Sequence, residues 1–149
     1  MYTLSETSLK MLKGVHPNLV NFMTELIKIS PWDFKITAGV RTAAEQNLEY
    51  QKGRTAPGSK VTKVDGYKLK SNHQIKFDGL GYAADIGVIV NGEYKGTWKD
   101  FHYYQDIYNT ANKAGLLEKY GIEWGGNCWR TFKDAPHWQI KGADRVVYK

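Results

Sequence analysis

The chain has 149 residues and carries 21 Lys+Arg against 15 Asp+Glu, a formal charge of +6 with a pI near 9.3. That length fits a single domain, and 42% hydrophobic with 24% charged content lies in the globular range and excludes wholesale disorder. One cysteine, Cys128, excludes an intrachain disulfide framework and a cysteine-based structural zinc site.

In chain order, a short helix is expected over residues 5–13, ending at Gly14. Residues 17–29 carry apolar side chains at Leu19, Val20, Met23, Leu26 and Ile27, a helical stripe, with Pro17 suited to the first turn. Residues 34–38 alternate and predict a strand. Thr42 and Glu45 form a capping box that opens a helix to about Lys52, stopped by Gly53. Residues 53–72 lose all periodicity and hold Lys60, Lys63, Lys68 and Lys70; a loop of this length is either a solvated excursion or functional. Residues 82–90 predict a strand, and Asn91-Gly92 turns it into a hairpin with residues 93–95. A further helix starts near Thr97, with Phe101, Tyr104, Tyr108 and Ala111 on one face, and ends at Gly115. Short strands are expected at residues 122–124 and 136–140, around a Gly-Gly loop. The pattern is α+β: helices mostly early, then a small antiparallel sheet with one helix inserted, in one domain over residues 1–149.

Chemistry concentrates at a few positions. His73 ends the long loop, His137 follows Asp134-Ala135-Pro136, and Asp85 is a carboxylate inside an apolar strand. A charge there is costly to bury unless paired or bound to metal. Asp85 shares a strand face with Ala83 and Gly87, small neighbours that leave room for an approach. It either pairs with an Arg or Lys, faces solvent, or ligates a metal. Two imidazoles and one carboxylate fit a catalytic zinc site, which takes three protein ligands and keeps a fourth position for water. Asp134, held off by the stiff Pro136, is then the natural general base. His16 and His102 are expected at the surface or core edge. A thiol peptidase built on Cys128, Asp134 and His137 lacks any sequence signal for an oxyanion hole.

The ordered pieces Ser71-Asn72-His73, Gly81-Tyr82-Ala83-Ala84-Asp85, Trp124-Gly125-Gly126 and Asp134-Ala135-Pro136-His137-Trp138 resemble the LAS-type zinc peptidases. That group includes D-Ala-D-Ala carboxypeptidases and the L-alanyl-D-glutamate endopeptidases of phage endolysins. Thr37-Ala38-Gly39-Val40-Arg41-Thr42 and Gln51-Lys52-Gly53-Arg54-Thr55 add to the likeness, which covers about residues 14–142. The resemblance implies a small antiparallel sheet carrying the zinc site against helices, of the hedgehog/D-Ala-D-Ala peptidase kind. It implies Zn2+ on His73, Asp85 and His137, with Asp134 as catalytic base. It further implies that Arg41 anchors a substrate carboxylate or carbonyl and that Ser71 positions the peptide. A structural ion pair at the strand–helix junction is the other reading of Arg41. One departure stands out: Gly81 and Asp85 fall eight and twelve residues after His73, five more than the commonest family spacing. Residues 75–79 are expected to bulge outward.

The expected function is therefore a zinc-dependent peptidoglycan hydrolase of the endolysin type, cleaving the L-alanyl-D-glutamate bond of the stem peptide. A D,D-carboxypeptidase releasing terminal D-Ala and a non-catalytic wall-binding module are the alternatives. No apolar run approaches the roughly 18–20 residues of a membrane span, and Met1-Tyr2-Thr3-Leu4-Ser5-Glu6 does not begin a signal peptide. The expectation is a monomer without membrane anchor or separate wall-binding domain, waiting in the host cytoplasm until a holin opens the way to the wall. The charge admits nucleic acid, membrane surface or wall as an anionic partner, and the resemblance favours the wall over nucleic acid. Trp124, Trp129 and Trp138 are candidate cleft walls or core residues.

Overall fold

The computed structural model describes residues 1–128 and 133–149, without the Cys128 side chain. Helix α1 spans Glu6–Met11 and is capped by the Ser5 hydroxyl, which accepts from the Ser8 amide. Helix α2 (Pro17–Ile29) is capped by His16, a residue expected at the surface or core edge: its ring nitrogen Nδ1 accepts from the Asn18 amide at 3.1 Å. Strand β1 (Asp33–Ala38) leads to α3 (Ala43–Gln51), where the Thr42–Glu45 capping box closes as expected. Strands β2 (Ala83–Val90) and β3 (Glu93–Lys95) form the expected hairpin. Its turn residues Asn91 and Gly92 both adopt positive φ, 52° and 78°, the left-handed pair a tight hairpin requires.

Helix α4 (Phe101–Lys113) starts one short 3-10 turn later than the Thr97 signal. Two elements were not expected. Gly115 does not only end α4; its left-handed conformation restarts the chain as α5 (Leu116–Tyr120), which Gly121 ends the same way. After β4 (Ile122–Trp124), the Gly-Gly segment forms a single helical turn, α6 (Gly125–Cys128), and β5 spans His137–Ile140.

The sheet runs β1-β2-β5-β4, with β3 also on β2, and every pairing is antiparallel. Strand parity divides its two faces. Phe34, Ile36, Ala84, Ile86, Val88, Trp124 and Trp138 join Leu19, Phe22, Met23 and Leu26 of α2 and Tyr104 and Ile107 of α4 in one buried cluster. Each large apolar side chain buried there contributes about 1.5–3 kcal/mol. Trp124 and Trp138 are stacked and buried on this face, so they are core and not cleft walls. Trp129 lies outside the described residues. The other face carries Asp85 directly across from His137, with Gln139 two residues on.

The space beside Asp85 is not open at Gly87 as the small side chain suggested. A Cβ there would lie 2.6 Å from the Tyr94 ring and 2.8 Å from the Thr37 methyl, so the protein itself fills that position.

Residues 53–72 form no helix or strand, yet polar side chains of α3 organise them. Gln46 donates to the Val64 carbonyl and Asn47 to the Asp65 carbonyl, while the Asp65 carboxylate accepts from the Tyr67 and Leu69 amides. Residues 75–79 bulge only in part. Phe77 and Asp78 are exposed, but Lys76 turns inward and is fully buried. The stretch is stitched to the end of the chain by a Lys76–Tyr148 bridge and by the Phe77 amide donating to the Val147 carbonyl.

Candidate metal centre

Strand pairing joins Asp85 to His137, and flanking turns bring His73 and Asp134 to them. The first histidine comes from a turn built by its own neighbours: the Ser71 hydroxyl accepts from the His73 amide, and the Gln74 side chain accepts from the Ser71 amide. The Asn72 carbonyl takes the Tyr82 amide and the His73 carbonyl takes the Arg41 amide, which fastens this turn between the starts of β2 and α3. Asp85 sits where β1 slips register between Ile36 and Ala38, placing it opposite Ala38 on one side and His137 on the other.

The ligand atoms of His73, Asp85 and His137 all lie within 4.8 Å of one another. His73 Nε2 is 3.3 Å and His137 Nδ1 is 3.1 Å from the same oxygen, Asp85 Oδ1. Asp85 Oδ2 turns to the Arg41 guanidinium at 3.4 Å. Asp85 thus pairs with Arg41 through one oxygen and faces both imidazoles through the other.

Both imidazoles are oriented from behind. His73 Nδ1 is 2.8 Å from the Gly39 carbonyl, which only accepts, so Nδ1 carries the hydrogen and Nε2 faces Asp85. His137 is turned the other way: Nε2 is 2.8 Å from Gln139 Oε1, leaving Nδ1 toward Asp85. The Gly39 position tolerates no side chain, because a Cβ would fall 1.9 Å from the Met11 carbonyl oxygen.

The electrostatics follow from this crowding. Burial alone would raise the Asp85 carboxyl, but the His73 and His137 imidazoles hold it well below the usual carboxylate range. His137 shows the reverse balance: burial pulls it down, and the Asp85 and Asp134 carboxylates more than compensate and raise it. Two imidazole nitrogens and one carboxylate oxygen, converging on one point and oriented by outer partners, fit a divalent metal ion.

Asp134 lies beside this group. Its amide donates to the Gly125 carbonyl at 3.0 Å, and its own carbonyl accepts from the His137 amide at 3.2 Å, so the turn through Pro136 fixes both ends. Burial and the nearby Asp85 charge raise its pKa, against the pull of His137, His73 and Arg41. Arg41 also donates to Gln46 at 3.1 Å. A groove of about 270 Å3, lined by residues that include Gly39, Arg41, Glu45 and Leu48, borders the centre on this side.

Sequence reading missed Asn72, Gln139 and Glu123, which stand behind His137. Their signal was parity: Gln139 is polar at the i+2 position from His137 in a short strand, on the same face.

The chain matches the family model described as "Phage L-alanyl-D-glutamate peptidase" over residues 1–140. It is 32% identical over 108 residues to "Peptidoglycan L-alanyl-D-glutamate endopeptidase CwlK" of Bacillus subtilis, covering 72% of this chain and 60% of that protein. It is 26% identical over 132 residues to "L-alanyl-D-glutamate peptidase" of Escherichia phage T5, covering 85% and 84% of the two chains. Among solved structures, the Serratia marcescens L-Ala D-Glu endopeptidase ChiX superposes with a TM-score of 0.68 at 27% identity, covering 97% and 93%.

Proposed function

The chain belongs to the phage L-alanyl-D-glutamate peptidase family, and from that premise we propose that it is a zinc endopeptidase cleaving the L-alanyl-D-glutamate bond of the peptidoglycan stem peptide. The observation that carries this reading is the convergence of His73, Asp85 and His137 with Asp134 alongside. All three of the relatives above are named for this bond.

His73 through Nε2, His137 through Nδ1 and Asp85 through Oδ1 would hold the ion. Zinc, when bound, supplies the Lewis acidity that polarises the scissile carbonyl and acidifies water. Asp134 accepts the proton of the attacking water and returns it to the departing D-Glu amine. Its raised pKa brings it closer to neutral pH as a base, and a cation in the centre draws it back down. Arg41 keeps Asp85 Oδ2 occupied and directs its remaining N–H groups to a substrate carboxylate or carbonyl. Ser71, whose oxygen already accepts from the His73 amide, keeps its O–H for the peptide.

Residues 1–149 act as one catalytic domain and as a monomer. The protein waits in the host cytoplasm until it is released to the wall, and the net charge of +6 draws it to that anionic polymer. No helix among the described residues is long and apolar enough to cross a membrane.

Digestion of purified peptidoglycan with and without zinc, read by mass spectrometry, tests the reaction. New L-Ala carboxyl termini with new D-Glu amino termini, only in the presence of zinc, are the expected products. Release of free D-Ala instead would make the enzyme a D,D-carboxypeptidase.

A further inference from the structure

The five residues that lengthen the spacing between His73 and Gly81 place a lysine where few proteins put one. Lys76 is fully buried, with Nζ 2.7 Å from Asn72 Oδ1 and 3.6 Å from the centre of the Tyr148 ring. A buried ammonium is costly unless its donors are used, so its placement calls for an explanation.

The hydrogen bonds leading away from it run in one direction only. Lys76 can only donate, so Asn72 must present its carbonyl oxygen to it. The Asn72 amide nitrogen then faces Asp144 Oδ1 at 2.7 Å and Gln139 Oε1 at 3.2 Å. Gln139 is fixed from its other end as well, because its amide nitrogen donates to Glu123 Oε1 at 2.7 Å and a carboxylate only accepts. Gln139 Oε1 is therefore an acceptor, and His137 Nε2, 2.8 Å away, must carry a hydrogen. Neither amide can flip without setting like against like at Lys76, Asp144 or Glu123.

We propose that Lys76, Asn72 and Gln139 form a positioning chain that fixes His137 as the Nε2–H form and presents Nδ1 to the metal centre. Lys76 holds the carbonyl end of Asn72 and Glu123 the amide end of Gln139, so the chain is oriented from both sides. The role rests on the reading of His137 as a metal ligand. Partners of this kind behind a ligand histidine typically change metal affinity by 10- to 100-fold when removed.

The test compares Lys76→Met, which keeps the apolar stem and removes the donor, with Lys68→Met in the exposed loop as control. The first readout needs no metal: the imidazole N–H protons of the metal-free protein, followed by NMR. The wild type should show a slowly exchanging His137 Nε2–H and a slowly exchanging His73 Nδ1–H. In Lys76→Met the His137 resonance should be lost to exchange while that of His73 persists. The second readout is zinc affinity by competition with a chromophoric chelator, expected to weaken roughly tenfold in Lys76→Met and not at all in Lys68→Met.

An unchanged His137 resonance and an unchanged zinc affinity in folded Lys76→Met would overturn the proposal. Should that variant not fold, Asn72→Asp decides, because aspartate still accepts from Lys76 but cannot donate to Gln139; the same two losses are expected and their absence overturns it. If the wild type takes up no zinc, the metal reading fails on its own, and the N–H resonances still decide whether the chain orients His137.

Discussion

The two histidines that face Asp85 are held by different kinds of support. His73 leans on main chain: its Nδ1–H meets the Gly39 carbonyl, and its own amide and carbonyl are tied to Ser71 and Arg41. His137 leans on side chains, with Gln139, Asn72, Lys76 and Glu123 arranged behind it. Main-chain support is rigid and can be disturbed only by moving the backbone. Side-chain support can be cut one group at a time, and its direction depends on charges several bonds away.

Removing the proposed ligands themselves erases the difference and should have the largest effect. His73→Ala and His137→Ala should each abolish zinc binding and turnover, read as metal content by mass spectrometry and as loss of wall digestion. Asp134→Ala leaves both sides of the centre intact. It should keep zinc and lose turnover by about 10^2–10^4-fold, the usual worth of a general base. The next effect separates the two sides. Gly39→Ala forces the backbone away from the Met11 carbonyl and should destabilise the fold as well as the His73 side, seen as a lower Tm. Gln139→Leu should lower the Tm less than Gly39→Ala does and weaken zinc by about 10–100-fold. Equal losses of stability in the two variants would remove the distinction.

A pH experiment sharpens it further. His137 is raised above its ordinary value of 6.5, so in the metal-free protein its stabilising contribution is complete below that pH and is lost as pH rises through the raised value. Asp134, raised above its ordinary 3.8, acts in the same sense, its contribution fading as pH rises. The chelated protein should therefore melt at a lower temperature near pH 7 than near pH 6, below the range in which Lys76, pulled down to about 8, adds an opposing trend. With zinc bound the trend should reverse, because the metal competes with the His137 proton. The smallest expected effect lies outside the centre: binding to wall fragments should weaken with added salt if the net charge of +6 drives it.

The residues written in local sequence were legible: the α2 stripe, the Thr42–Glu45 box, the Asn91-Gly92 turn, and His73, Asp85 and His137 as residue types able to share a metal. What escaped depends on register and on contacts across the fold. Strand β5 alone does not say that Trp138 faces α2 while His137 and Gln139 face the centre. Nothing local to residues 75–79 says that Lys76 turns inward, since its partners Asn72, Asp144 and Tyr148 come together only in the folded chain. Burial pulls Lys76 down to about 8 against the opposing charge of Asp144, a balance no residue count could reveal. The polar face of α3, which binds residues 64 and 65, was likewise illegible before its partners were in place.

The most direct measurement is a titration of chelated protein with zinc, following peptidoglycan cleavage at each addition. Activity should be absent without metal and rise in proportion to zinc up to one equivalent, with no recovery in His137→Ala. Full activity in the chelated protein, or zinc-dependent activity that survives His137→Ala, would contradict a catalytic metal held by His73, Asp85 and His137.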